Sequence, residues 1–298
     1  SSPLITRDPD VIFSRHDVPY PSALTFNAGI IRHEGRYIML FRNDFGSYEA
    51  QRLDGTNIGL AFSDDGIHWR CEPKPVLDGK SFGDIFAPGE VIRLYDPRIT
   101  PMDGHFYVSF AIDTRHGVCG GFAVTDDFHT YTALTATAPD NRNMVLFPEK
   151  IGGKFVRLER PMPVYSRGCD RFDIWLSESP DCVYWGKTRF VLGVEDVPYA
   201  NDKIGPGAPP IKTDAGWLVI YHAGDRDNTR GKDGWGKRAE KAAQHARDAR
   251  AVAAAQIKQQ PLQIRGDEDI HRRRDGLVER AVFHIVYAGV DKVGQHVV

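Results

Sequence analysis

GRYIMLFRN (residues 35–43), GHFYVSFAID (104–113), GKFVRLERP (153–161) and GWLVIYHAG (216–224) are variants of one phrase: a glycine, then a strand that alternates bulky apolar with other residues. Period-two alternation rich in Tyr, Phe, Val and Ile is the pattern of a β-strand. A second phrase follows the early copies: NIGLAFSDDGIHW (57–69), GGFAVTDDFHTY (120–131) and FDIWLSESPDCVYW (172–185). Each is an apolar strand closed by an acidic turn and then an aromatic. Asp side chains bond their own backbone and favour tight reversals; the aromatic after the turn is placed to pack between sheets. Copies recurring about every fifty to seventy residues are the mark of propeller blades. A weak fifth copy stands at AVFHIVYAG (281–289). The pattern predicts an all-β fold, a five-bladed β-propeller, with 1–298 as a single domain around one central cavity. The alternative is a two-sheet sandwich built from similar strands.

Residues 239–280 break the pattern. AEKAAQHARDARAVAAAQIKQQPLQIRGDEDIHRRRDGLVER contains no Phe, Trp or Tyr and is rich in Ala, Arg and Gln. That composition favours a helical or disordered segment over a strand. It reads either as an insertion or as an out-of-frame stretch, and in both cases it threatens the last blade.

Composition sets broad limits. The chain has 298 residues, 41% hydrophobic and 26% charged, with a formal net charge of -2. This is ordinary globular chemistry with ample length for a large core, and it argues against a dominant nucleic-acid or anionic-membrane surface. No run approaches the ~18 apolar residues of a membrane span. The first residues have no apolar signal-like stretch, so a soluble, cytoplasmic protein is expected. Four cysteines, Cys71, Cys119, Cys169 and Cys182, form no CxxC pair. They read as reduced, mostly buried thiols, and no metal site is expected.

Chemistry concentrates in a few places. In LYDPRIT (94–100), Pro97 biases Asp96 towards extended geometry. An acid held at a strand end and facing a cavity could protonate a glycosidic oxygen; an Asp96–Arg98 structural pair at a turn is the alternative. Arg142, Arg160, Lys203 and His222 are cationic groups scattered along the chain. Arg160 and His222 end repeated strands, and in a propeller such positions converge on the central funnel, where several cations would form an anion site. Asn27, Arg42, Asn43 and Asp173 are read as strand-end polar groups near aromatics, suited to a sugar or to capping the strands. KIGPGAPP (203–210) lacks the pattern of a nucleotide-binding loop, and Asp64–Asp65 and Asp126–Asp127 read as turns.

FNAG, LFRND, DGTNIGLAFSDDGIHW, YDPRIT, NRNMVLFPEKIGGKFVRLERPMP, DRFDIW and DKIGPGAPP, in this order and spacing, resemble glycoside hydrolase family 130 over about residues 20–236. Within it, the stretch from 141 to 168 is most similar to the 4-O-β-mannosyl-glucose phosphorylases. The resemblance implies a five-bladed catalytic propeller. It implies phosphorolysis of β-1,4-mannosyl-glucose to α-D-mannose 1-phosphate and glucose, with inversion. By match to the family's motif, Asp96 is the general acid, its proton passing through the mannose 3-hydroxyl. Arg142, Arg160, Lys203 and His222 match phosphate-binding positions. Asn27, Arg42 and Asp173 match or adjoin sugar-binding positions. The partners implied are a β-mannoside disaccharide and phosphate, and homo-oligomers are common among such enzymes. No cofactor is implied, since phosphate is a co-substrate. After Lys237–Arg238 the family continues with an apolar strand and a late acidic sugar contact; here the Ala/Arg/Gln-rich stretch stands instead. Three alternatives remain open: a β-1,4-mannooligosaccharide phosphorylase, a hydrolase that attacks with water through a second carboxylate, and a non-catalytic sugar-binding propeller if the tail is damaged.

Overall fold

The computed structural model describes residues 10–50, 52–163, 171–197, 200–214 and 216–224, and the backbone of 254–257. They form four antiparallel sheets of four strands each, taken in chain order, with short 3-10 turns and no α-helix among the described residues. The first sheet holds β1 (Leu24–His33), β2 (Arg36–Ser47), β3 (Arg52–Ser63) and β4 (Arg70–Cys71). The second holds β5 (Val91–Met102), β6 (His105–Thr114), β7 (Gly117–Thr125) and β8 (Thr132–Ala136). The third holds β9 (Asn141–Leu146), β10 (Phe155–Pro161), β11 (Ile174–Ser179) and β12 (Gly186–Leu192). In the fourth, β13 (Lys203–Pro206) and β14 (Ile211–Thr213) pair successive halves of β15 (Gly216–Gly224), and β16 (Ala254–Ile257) also pairs with β15.

These are blades of a propeller. The glycine-led phrases are β2, β6, β10 and β15, the second strand of the first three blades and the middle strand of the fourth. Gly35, Gly104 and Gly153 turn into them at φ of 81°, 82° and 75°, which a side chain would resist. The acidic phrases are β3, β7 and β11 with their turns. In each turn one carboxylate oxygen takes two backbone N–H groups: Asp65 from Ile67 and His68, Asp127 from His129 and Thr130, Asp181 from Val183 and Tyr184. These bonds hold Asp127 and Asp181 below the ordinary range, Asp127 down to about 2; Asp65 is lowered first by the His68 ring and then by its backbone bonds. The aromatic after the third turn, Trp185, stacks on Phe122 of the second blade at 5.5 Å.

Apolar layers between blades hold their order. Leu40, Ile58 and Leu60 meet Leu94, Val108 and Ile112; Phe122 meets Leu146 and Phe155; Leu158 and Ile174 meet Ile204, Trp217 and Val219. Each such burial contributes about 1.5–3 kcal/mol. Neighbouring blades touch through their first strands, β1 with β5, β5 with β9 and β9 with β13, which therefore surround the centre.

Two expectations meet the structure here. Ala254–Ile257 falls inside the stretch expected to be helical or disordered, yet it is a strand. The free edge of β15 supplies backbone partners that outweigh weak intrinsic propensity. The rest of 239–280, and the fifth copy at 281–289, lie outside the described residues, which make four blades. Cys71, Cys119 and Cys182 are free thiols; Cys169 is outside the described residues.

Candidate active site

The centre is built by one device used three times. In β1, β5 and β9 two residues stand opposite one on the neighbouring strand. Asn27 and Ala28 face Phe41, Asp96 and Pro97 face Phe110, and Asn143 and Met144 face Glu159. The first residue of each bulge is left-handed: Asn27 at φ 50°, Asp96 at 57°, Asn143 at 57°. Asn and Asp tolerate that region better than other side chains, and a bulge re-aims the side chain it carries. Asp96 and Asn27 are thus mid-strand, not at strand ends as the sequence suggested; the bulge, not the end of a strand, turns them to the centre.

Asp96 Oδ1 accepts from Asn27 Nδ2 at 2.9 Å and from Arg42 Nη1 at 3.5 Å. Arg42 is itself fixed by a two-pronged pair with buried Asp44 at 2.7 and 2.8 Å, between the rings of Phe26 and Tyr95. Burial opposes its charge, but Asp44 and then Asp96 more than offset this, so its pKa lies above the ordinary value. Tyr95 links this group to the next: its hydroxyl donates to Asp113 at 2.6 Å and accepts from Arg142 Nη1 at 3.4 Å. Burial first, then Asp113, push the phenol up to about 12.

Arg142 and Arg160 are direct partners across the β9–β10 ladder. Arg160 is 1% exposed and lies over the Phe172 ring, with Nη1 3.3 Å from His222 Nε2. Its Nε and Nη2, and the Nε of Arg142, are buried without hydrogen-bond partners. Burial and then the Arg142 charge lower the Arg160 pKa to about 9. His222 is held well below its ordinary value, by burial and then by Arg160, Lys203, Arg98 and Arg142. It is therefore neutral at pH 7 and can accept from Arg160. Lys203 stands at the start of β13, one residue after buried Asp202. Cations crowded in a buried place, with donors unused, form a site for an anion.

The structure thus gathers Asp96, Asn27, Arg42, Arg142, Arg160, Lys203 and His222. Asn43 and Asp173 it does not. Asn43 is buried on the opposite side of β2 from Arg42, as strand alternation requires, with its amide on Pro21 O and Asn57 Oδ1, both at 3.0 Å. Asp173 accepts the Val194 N–H at 2.8 Å. Sequence reasoning missed Tyr95, Asp44, Asp113 and Asn143. Aligning FNAG, YDPR and RNMV would have placed Asn143 where Asn27 and Asp96 stand. Nor do Asp96 and Arg98 pair: the ion-pair partner of Asp96 is Arg42.

Comparison with known proteins adds independent findings. A family model for glycoside hydrolase 130, described as beta-1,4-mannooligosaccharide phosphorylase, matches residues 3–234. The beta-1,4-mannooligosaccharide phosphorylase of Ruminococcus albus is 33% identical over 220 residues, covering 72% of this chain and 62% of that enzyme. The 4-O-beta-D-mannosyl-D-glucose phosphorylase of Bacteroides fragilis is 27% identical over 219 residues, 66% of this chain and 52% of the enzyme. Among solved structures, a beta-1,2-mannobiose phosphorylase from Listeria innocua in complex with beta-1,2-mannobiose has a TM-score of 0.57 and 25% identity over 67% of each chain. The chain spans less than two thirds of the length of either curated relative.

Proposed function

The chain belongs to glycoside hydrolase family 130, the mannoside phosphorylases, and on that premise we propose that it cleaves a β-1,4-mannoside with inorganic phosphate, in the cytoplasm, releasing α-D-mannose 1-phosphate with inversion. Phosphate attacks the anomeric carbon as the glycosidic C–O bond breaks. Asp96 gives a proton, by way of the mannose 3-hydroxyl, and the leaving oxygen takes one, so the acceptor departs neutral. Arg142, Arg160, Lys203 and His222 hold the phosphate; Asn27 and Arg42 orient Asp96 and the sugar.

The observation that carries this reading is Arg160, buried beside Arg142 with two donors unused. A hydrolase needs a second carboxylate to activate water. Asp44 is taken up by Arg42, and Asp113 by Arg93 and Tyr95. Phosphate arrives already anionic, so positioning among fixed cations replaces the base. The sequence resemblance favours glucose as the acceptor. A mannooligosaccharide acceptor is the second reading, supported by the higher identity to the Ruminococcus enzyme.

The test is incubation with mannosyl-β-1,4-glucose or β-1,4-mannotriose, with and without phosphate, beside Asp96→Asn. Phosphate-dependent mannose 1-phosphate, lost in the variant, is expected, and the better substrate names the acceptor. Free mannose formed without phosphate would replace this reading with hydrolysis. No product from folded protein would leave a binding propeller.

A further inference from the structure

Arg98 takes no part in that chemistry, yet it reaches across the centre. Its Nη1 donates to the carbonyls of Pro97 at 2.7 Å and of Asn27, on the first blade, at 3.1 Å; its Nε donates to the carbonyl of Gly207, on the fourth. Burial lowers its pKa, with Asp96 acting the other way. A half-buried cation that meets neutral carbonyls is a costly way to brace a fold, unless those carbonyls must stand where they do.

We propose that Arg98 is a positioning residue, whose planar fork fixes the bulge that aims Asn27 at Asp96 by tying it to Gly207, just past β13 on the fourth blade. The proposal rests on the phosphorylase reading for its kinetic consequences. Asn27 is the residue whose carbonyl Arg98 holds and whose Nδ2 holds Asp96 Oδ1. Fixing that left-handed backbone fixes the direction of the amide. The first two blades touch here backbone to backbone: a Cβ at Gly29 would lie 2.8 Å from Pro97 O. On the other side, Gly207 donates its N–H to Ile220 O at 2.9 Å, and Gly205 lies against the His222 ring, where a Cβ would come within 2.7 Å. Gly207 is thus tied to β15 as well, and gives the guanidinium a fixed anchor on the fourth blade. A small cavity of about 10 Å³, lined by Asp96, Arg98, Asn143 and Pro206 among others, leaves little room to drift. Lysine, a point charge, cannot span acceptors at both ends of a fork.

Arg98→Lys in the full chain tests this with two substrates, mannosyl-β-1,4-glucose and 2,4-dinitrophenyl β-mannoside, both with phosphate. The dinitrophenolate leaves without protonation, so it does not need a well-aimed acid. We expect kcat on the disaccharide to fall about 100-fold and on the aryl mannoside by less than about tenfold. In 15N-labelled protein the Asn27 side-chain amide resonance should move and exchange faster with water. Equal losses on both substrates, wild-type rates, or an unmoved Asn27 resonance would overturn the proposal. Should Arg98→Lys not fold, Asn27→Ala, at an exposed side chain, must show the same leaving-group-selective loss; unchanged disaccharide turnover there would also overturn it. A wild type without phosphate-dependent turnover would sink the phosphorylase reading instead, and the Asn27 resonance would then decide Arg98 alone.

Discussion

Arg160 stands one residue before the end of β10 with its guanidinium buried, two donors unused and Arg142 as its cross-strand neighbour. Taking an unpaired cation out of water costs several kcal/mol. The Phe172 face and the neutral His222 ring offset part of that; the rest is a demand for an anion. Arg160→Met should therefore raise the melting temperature of phosphate-free protein while abolishing phosphorolysis, a gain of about 1–4 kcal/mol by analogy with other buried-charge replacements. Phosphate at a hundred times its Kd should stabilise the wild type by about 2.7 kcal/mol and leave Arg160→Met unmoved. Thermal unfolding with and without phosphate checks both, and a variant that melts lower and still responds would mean that Arg160 is a structural cation. Arg160 and His222 were legible because they end a repeated phrase. Asn43 was not separable from Arg42 by residue type alone; strand alternation sends the two side chains to opposite faces, and only the outcome in space says which face is the centre.

At the scale of elements, the site depends on the bulges in β1, β5 and β9 more than on any turn. The second and third strands of the first three blades were legible because they alternate. Their first strands were harder to read, and so was the first of the fourth: NRNMVL and KIGP show no period-two signal, since strands at a polar centre carry polar groups where a core strand carries apolar ones. YDPRIT was read for its chemistry and its proline, and the bulge was hidden because a two-against-one pairing exists only between strands. The left-handed backbone of Asp96 bears on stability as well as on aim. Asp96→Asn keeps a side chain that accepts φ near 57° and should fold like the wild type. Asp96→Val removes the same acid, but a β-branched residue is strained there, and it should lose about 1–3 kcal/mol more. Urea unfolding of the two inactive variants separates acid from bulge; equal midpoints would mean that the left-handed geometry is not what the position demands.

At the scale of the molecule, a propeller leaves each blade only short, protected edges, and each blade shares its core with its neighbours. The family match ends at residue 234, close to where the composition shifts. Composition alone marks the tail as unusual without saying what it does for the blades before it. In the structure Ala254–Ile257 covers the edge of β15 along Trp217–Ile220. Trp217 and Val219 of that strand are buried in the layer shared with the third blade, so the edge cannot twist away without disturbing that core. A chain ending at residue 240 would leave those N–H and C=O groups unpaired beside an apolar layer, an arrangement that recruits strands from other molecules. It should self-associate with rising concentration and bind amyloid-type dyes, whereas a chain ending at residue 260 should not exceed the full chain in either. Light scattering on the three lengths, at matched concentration, reads this directly. If the 240-residue chain scatters no more than the others, β16 is dispensable, and the tail's importance must lie elsewhere than in guarding β15.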